Sequence, residues 1–167
     1  MILIRPPVPA DLKAVTEIYN VYTKTPMNFR EDELTEAEML EKCNSIQHEY
    51  IFLVAEDRES GAVIGLAYSA RFRLRKAYRV AETTIYLAPG RLARGVGRQL
   101  YSELILQTKR KHPELTGLVA LIIADNVPSI RFHEKMHFRK IGVLPKAGFK
   151  CGGYHDLELW HYAFDEP

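Results

Sequence analysis

The sequence predicts a single α/β (α+β) domain over residues 1–167, built from six to seven strands and about four helices. Three observations support this prediction. Segments of helical periodicity alternate with strand-like runs, a polar turn at residues 57–61 joins two such runs as a hairpin, and the apolar run Leu118–Ile123 is typical of a central strand buried on both faces. The 167 residues, 47% of them hydrophobic, suffice for the core of one ordinary domain.

The first half of the chain contains two helices and four strands. Asp11 is predicted to cap the first helix, and the pair Thr35 and Glu38 has the spacing of a capping box at the start of the second. In chain order the predicted elements are the strand 1–5, the helix from Asp11 to about Tyr22, the helix Thr35–His48, and the strands Tyr50–Glu56, Ala62–Phe72 and Val80–Leu87.

The second half begins with a helix that Pro113 ends. Asn126 is predicted to cap a later, shorter helix. In chain order the predicted elements are the helix from Val96 to about His112, the strand Leu118–Ile123, the helix after Asn126, and the strands Phe138–Leu144 and Tyr154–Phe164, which a glycine-rich excursion joins.

Charge and composition exclude several classes of protein. The formal net charge of +2 is too small to indicate a nucleic-acid or membrane partner. The N-terminal stretch MILIRPPVPADL lacks the apolar run of a secretory signal, so we expect a cytoplasmic protein. Cys43 and Cys151 are predicted to be free thiols, and no histidine or cysteine spacing indicates a metal.

The stretch GRLARGVG, residues 90–97, lies between a strand and a helix. Amide groups at a helix N-terminus bind anions, and glycine lets the backbone approach a phosphate closely. Two common phosphate loops do not fit, because a P-loop requires Lys-Ser/Thr where Arg98-Gln99 stands and a dinucleotide fingerprint requires glycine at Leu100. A different phosphate-binding loop is therefore predicted.

The segment from Leu92 to Gly97 resembles the GNAT superfamily signature Gln/Arg-x-x-Gly-x-Gly/Ala, with Leu92 as a departure at its first position. A second GNAT pattern matches ADNVPSIRFHEKMHF, in which His133 stands where the family has tyrosine and His137 where it has glycine. The resemblance implies a mixed, mostly antiparallel central sheet flanked by helices, and acetyl-CoA as co-substrate.

Within that superfamily the chain is most similar to the phosphinothricin acetyltransferases. The similarity is carried by NFRED, FRLRKAYRVAETTIYLAP, NVPSIRFHE and LPKAGFKCGGYHDLELW. It implies a homodimer that acetylates the primary amine of small amino-acid analogues such as phosphinothricin, methionine sulfoximine and methionine sulfone, by direct transfer in a ternary complex without a metal.

The same resemblance assigns site residues. Glu82 is the expected base for the acceptor amine, and His133 is expected to protonate the departing thiolate. The residues that the resemblance expects to hold the acceptor are Phe29, Arg73, Arg75 and Tyr78. Thr84 is expected to join them, because Thr84 and Tyr86 alternate with Glu82 on one face of the predicted strand. Those expected to hold acetyl-CoA are Ile85, Tyr86, Leu87, Ala93, Arg94, Gly95, Val96, Gly97, Arg98 and Asn126.

Simpler interpretations stay open at this stage. Glu82 can be a surface carboxylate, His133 a packed core residue, Asn126 a plain helix cap and the arginine-rich turn a solvated one. For function, the alternatives are an acetyltransferase for another amine, such as a protein N-terminus or a polyamine, and a CoA-binding sensor without turnover.

Overall fold

A computed structural model of the chain describes residues 1–73, 77–90 and 95–164, which contain seven strands and four α-helices. The predicted α+β fold is confirmed in these elements. In chain order they are β1 (Ile2–Arg5), α1 (Leu12–Thr23), α2 (Glu36–Glu49), β2 (Phe52–Asp57), β3 (Ala62–Arg71), β4 (Val80–Leu87), α3 (Val96–Lys111), β5 (Gly117–Ile123), α4 (Val127–Lys135), β6 (Arg139–Lys150) and β7 (Gly153–Ala163).

The seven strands hydrogen-bond in the order β1-β2-β3-β4-β5-β7-β6. The pair β4–β5 is parallel, with Glu82 opposite Val119. The pairs β1–β2, β2–β3, β5–β7 and β6–β7 are antiparallel. The sheet is therefore mixed and mostly antiparallel, as the family resemblance implied.

The chain divides into two compact units, the first made of Met1–Asn20, Leu34–Ala70 and Thr84–Pro113. In this unit α3 packs against β1 and β2, and α2 packs against β2. The side chains of Leu53, Leu66, Leu100 and Leu104 are fully buried there. The prediction of one domain over residues 1–167 stays a prediction.

The start of the first helix differs from the prediction. Asp11 ends a 3-10 turn, and α1 begins at Leu12. The Asp11 carboxylate accepts a hydrogen bond from Val8 N at 2.7 Å and pairs with the Arg5 guanidinium at 2.6 Å. Arg5 holds the pKa of Asp11 below its ordinary value. The carboxylate therefore fixes the chain that precedes the helix instead of capping it.

The second helix begins as predicted. The Thr35 side chain accepts a hydrogen bond from Glu38 N at 3.2 Å, and the Glu38 carboxylate accepts one from Thr35 N at 2.7 Å. This reciprocal pair is the capping box.

The second unit consists of Val21–Glu33, Arg71–Thr83 and Glu114–Pro167. Its long hairpin corrects a prediction, because β6 continues to Lys150 where a glycine-rich excursion was expected. A two-residue turn, Cys151-Gly152, joins β6 to β7, and both residues have positive φ, 51° and 79°. That pair of angles is the type I′ turn that matches the twist of a hairpin.

The burial of β5 agrees with the prediction at all but one of its residues. β5 is buried along its length except at Leu121, which is 38% exposed, so burial on both faces holds for the other residues of the strand.

Both cysteines are free, as predicted, with Cys43 buried and Cys151 exposed. Burial raises the pKa of the Cys43 thiol to about 11. Among the residues described, no helix is long and apolar enough to cross a membrane.

Candidate active site

The strand β4 presents its side chains alternately to two environments. Ala81, Thr83 and Leu87 are buried, while Glu82, Thr84 and Tyr86 are half-buried on the opposite face. The Thr83 hydroxyl donates to Val119 O at 3.4 Å, which fixes the buried face against β5. The three predicted site residues therefore share one face of one strand.

The part of β4 that is predicted to hold acetyl-CoA, Ile85 to Leu87, lies toward the end of the strand. Ile85 is half-buried and Leu87 buried. The Tyr86 ring meets the Tyr19 ring edge to face, at 5.4 Å between centroids. This aromatic contact fixes the orientation of the Tyr86 side chain at the end of the strand.

The N-terminus of α3 has the geometry that anion binding requires. Gly95 is the N-cap and adopts a left-handed conformation, φ 74°, which glycine reaches without strain. The first intrahelical bond is donated by Gln99 N to Gly95 O at 3.1 Å. The preceding amides, of Val96, Gly97 and Arg98, have no acceptor one turn earlier within the helix, so this end fits a phosphate group.

Phe72 contacts two of the predicted acceptor residues before β4, Arg73 and Tyr78. Arg73 is exposed and has a left-handed backbone, φ 63°. Its guanidinium carbon lies 5.6 Å from the centre of the Phe72 ring, and the same ring meets Tyr78 edge to face at 5.6 Å. Phe72 thus holds a guanidinium and a phenol, both suited to carboxylate or phosphinate oxygens, on one aromatic platform.

Phe29 lies on the segment between α1 and α2 and packs directly on Gly148 of β6. A methyl group placed on Gly148 would lie 2.5 Å from Cζ of Phe29 and 2.6 Å from Cε1. Only glycine at position 148 therefore leaves the ring where it is.

His133 is buried, and its hydrogen bonds define its tautomer. Its Nδ1 lies 2.8 Å from Ser129 O, and because a carbonyl only accepts, Nδ1 carries the proton. In the neutral ring Nε2 is then an acceptor. Burial lowers the pKa of His133 below its ordinary 6.5, so protonation of a thiolate by His133 requires the ring first to take up a proton.

The end of α4 shows what backbone conformation is required at His137, the position where the GNAT pattern has glycine. Phe138 N donates to His133 O and His137 N donates to Glu134 O, both at 3.0 Å. This is the Schellman arrangement, which requires a left-handed residue after the helix. His137 supplies it at φ 67°, and the His133 and Phe138 rings make the accompanying contact at 5.1 Å.

Asn126 is the N-cap of α4, where its side-chain oxygen accepts from Ser129 N at 3.2 Å. The neighbouring Asp125 binds His155, with Oδ2 at 3.0 Å from Nδ1, and His155 Nε2 lies 3.0 Å from Lys150 O. The Asp125 carboxylate raises the pKa of His155. The cap is confirmed, and these contacts tie the hairpin end to the start of α4.

Three predicted site residues, Arg75, Ala93 and Arg94, lie outside the described residues. In the described ranges, no group of three or more His, Cys, Asp or Glu side chains could hold a metal ion.

Sequence reasoning assigned no role to Phe72 or Gly148. Phe72 and Gly148 fall within segments that resemble the family, but their importance comes from what they touch in space. A glycine inside a strand indicates a close approach of another group, but for Gly148 this signal is visible only once β6 is known to continue to Lys150.

A model of the family described as "Acetyltransferase (GNAT) domain" matches residues 4–160. A phosphinothricin N-acetyltransferase of Streptomyces viridochromogenes is 36% identical over 98% of this chain and 88% of its own length. An L-methionine sulfoximine/L-methionine sulfone acetyltransferase of Salmonella typhimurium is 32% identical over 94% of this chain and 91% of its own.

A solved structure agrees with these sequence similarities. A GNAT superfamily phosphinothricin acetyltransferase of Sinorhizobium meliloti, crystallised with acetyl-CoA, is 34% identical with a TM-score of 0.87, over 97% of this chain and 88% of that one.

Proposed function

Because the chain belongs to the GNAT acetyltransferase family, we propose that it transfers the acetyl group of acetyl-CoA to the primary amine of a small amino-acid analogue. The expected acceptors are of the phosphinothricin, methionine sulfoximine or methionine sulfone type, and transfer is direct, in a ternary complex. Family membership confirms an acyltransferase; the acceptor class and the order of events belong to the proposal. Its main support from the structure is the platform on which Phe72 holds Arg73 beside Tyr78.

The amides of Val96, Gly97 and Arg98 are proposed to bind the pyrophosphate of acetyl-CoA, with Gly95 giving close access. Their position at the N-terminus of a 16-residue helix supports this role, because the helix dipole favours negative charge there. Ala93 and Arg94 belong to the same proposed loop.

The pantetheine arm is assigned to β4 and α4. The backbone of Ile85, Tyr86 and Leu87 is proposed to align it. Asn126 is proposed to contact the arm in addition to its role as a cap. The cap uses the side-chain oxygen of Asn126, so the contact with the arm would use the side-chain nitrogen.

Glu82 is proposed to accept the proton of the acceptor amine. An α-amino group is mostly protonated in water, so transfer to it requires a base at the nitrogen. The position of Glu82 supports the role: it is half-buried and shares its face of β4 with Thr84, which is proposed to line the same acceptor site.

Arg73, Arg75 and Tyr78 are proposed to bind the acidic end of the acceptor. A guanidinium pairs with a carboxylate or phosphinate through two parallel hydrogen bonds. The left-handed backbone of Arg73 adds support, because strained backbone conformations cluster at functional sites. Phe29 is proposed as the apolar wall for the acceptor side chain.

His133 is proposed as the proton donor to the thiolate. Its burial and its fixed Nδ1–H fit a ring that is held in one orientation, and the lowered pKa confines the protonated form to acidic pH. The packed-core alternative predicts that replacing His133 lowers kcat by the same factor at every pH.

A homodimer is part of the proposal. β6 is an edge strand of the sheet, and it exposes apolar side chains that a second copy can cover: Ile141, Val143, Leu144 and Phe149. Long exposed apolar edges are hazardous in a monomer. The cytoplasmic location stays a prediction.

The test is release of CoA from acetyl-CoA, followed by thiol detection, for wild type and Glu82→Gln. The panel contains phosphinothricin, methionine sulfoximine, methionine sulfone, common amino acids, polyamines and a peptide N-terminus. Turnover on the first three supports the proposal, whereas turnover confined to polyamines or peptides replaces the acceptor class.

The Glu82→Gln variant tests the base. We expect kcat/KM to fall by roughly 10²- to 10⁴-fold near neutral pH, the usual contribution of a positioned base, with acetyl-CoA binding retained. A variant that keeps full kcat/KM at every pH would remove Glu82 from this role.

A further inference from the structure

The chain between the end of α1 at Thr23 and the start of α2 at Glu36, which carries Phe29 and lies wholly within the described residues, contains no helix or strand. Local turns form within it, such as the one in which Arg30 N donates to Asn28 Oδ1 at 2.8 Å, and its far end is held where Leu34 N donates to Asn20 Oδ1 at 2.9 Å. In the same segment the Asn28 Nδ2 donor is buried without a hydrogen-bond partner among the described residues. A buried unpaired donor destabilises a conformation, so other contacts must hold this segment.

Lys150, the last residue of β6, supplies those contacts. Its ammonium donates to the carbonyl oxygens of Thr23, Asn28 and Arg30, each at 2.5 Å. An ammonium has three N–H donors and no acceptor, so three carbonyl oxygens use its full capacity. One side chain thereby gathers both ends of residues 23–30 onto a single point.

The same strand also seats the aromatic ring of that segment. Gly148 and Lys150 are two residues apart and so lie on one face of β6, and Phe29 packs against Gly148. The glycine provides the space for the ring, and the lysine holds the backbone on either side of it.

Lys150 is itself held in place. Its carbonyl oxygen lies 3.0 Å from Nε2 of His155 across the hairpin, and His155 binds Asp125. Bonding at both its backbone and its ammonium restricts the side chain to one arrangement.

We propose that Lys150 is a positioning residue for acceptor specificity: its three-carbonyl clamp on residues 23–30 fixes the Phe29 ring that faces the acceptor side chain. The kinetic part of this inference rests on the proposed function; the clamp itself does not. Lys150 touches no reacting atom, and it acts through the segment that it holds.

The clamp is tested with Lys150→Met, which keeps the length of the side chain and removes its donors. The matched control is Lys146→Met on the same strand, where the ammonium lies 5.8 Å from the centre of the Tyr154 ring. We expect trypsin to cleave after Lys24 and Arg30 about tenfold faster in Lys150→Met than in wild type, because the segment opens more often. Lys146→Met is expected to match wild type.

The positioning role is tested with the steady-state kinetics of the same proteins. We expect the KM for phosphinothricin to rise about tenfold in Lys150→Met, with the KM for acetyl-CoA within about twofold of wild type, since only the acceptor wall moves. Lys150→Arg keeps the charge, but its planar donors match three converging carbonyls poorly. Lys150→Arg should fall between wild type and Lys150→Met in both measurements. It also provides the test if Lys150→Met folds poorly.

The outcomes separate the two proposals. Unchanged cleavage after Lys24 and Arg30 overturns the clamp, and faster cleavage with an unchanged acceptor KM overturns the positioning role. Wild type that turns over no amino-acid analogue at all contradicts the proposed acceptor class, while the trypsin result still decides the clamp.

Discussion

A single methyl group at Gly148 should displace the proposed acceptor wall. In Gly148→Ala the new carbon would lie 2.5 Å from Cζ of Phe29, whereas carbon atoms pack best at about 3.5–4.0 Å. The ring must therefore retreat by about 1.0–1.5 Å. The clashing atoms are the far end of a side chain, so the ring can move at a cost near the low end of the range for overpacking, about 1 kcal/mol in the free energy of unfolding.

The kinetic consequence is much larger than the effect on stability. A 1 Å misplacement in an active site can lower the rate about 10²-fold, which corresponds to about 2.7 kcal/mol of transition-state stabilisation. We therefore expect kcat/KM for phosphinothricin to fall by up to about 10²-fold in Gly148→Ala, with the KM for acetyl-CoA unchanged.

The measurement is CoA release at varied acceptor concentration, accompanied by thermal unfolding of each protein. Gly142→Ala is the matched control, because Gly142 lies on the same strand and a methyl group there meets nothing within 4 Å. A Gly148→Ala enzyme with kcat/KM within about twofold of wild type would refute the assignment of Phe29 to the acceptor wall. An equal loss of kcat/KM in both alanine variants would show that activity depends on the strand β6 and not on the position of the Phe29 ring.

Two further predictions concern α4. His137→Gly should raise the melting temperature by about 2–4 °C, because glycine removes about 1 kcal/mol of left-handed strain at φ 67°; a lower melting temperature in differential scanning calorimetry would contradict the strain argument. His133→Phe should lower kcat more at about pH 5.5 than at about pH 8. Proton donation needs the charged ring, and burial lowers the pKa of His133 below 6.5. The charged form is therefore lost as pH rises. The pH profile of kcat for both enzymes checks this, and a constant ratio across the range would assign the ring to packing alone.

Local signals predicted the elements whose boundaries depend on neighbouring residues. The capping box at Thr35 and Glu38 placed the start of α2 because both partners lie within one turn. The alternation in β4 placed Glu82, Thr84 and Tyr86 on one face for the same reason, since a strand repeats every two residues.

Contacts that capping and periodicity patterns do not describe corrected the other predictions. Asp11 resembles a helix cap in sequence, but Arg5 and Val8 draw its carboxylate toward the preceding chain. The stretch after Leu144 reads as a glycine-rich loop, yet its pairing with β7 extends β6 to Lys150. Pairing energy between strands is absent from any local pattern.

The sequence by itself determined the family and the α+β fold, because both depend on residue types at fixed short spacings, and the family resemblance named Glu82 as the candidate base. Only the tertiary structure decided which tautomer His133 adopts, that Phe72 orients Arg73 and Tyr78, and that Lys150 holds the segment of Phe29. Lys150 and Asn28 are separated by 122 residues. Hydrogen-bond geometry and close packing between such residues exist only once the chain has folded.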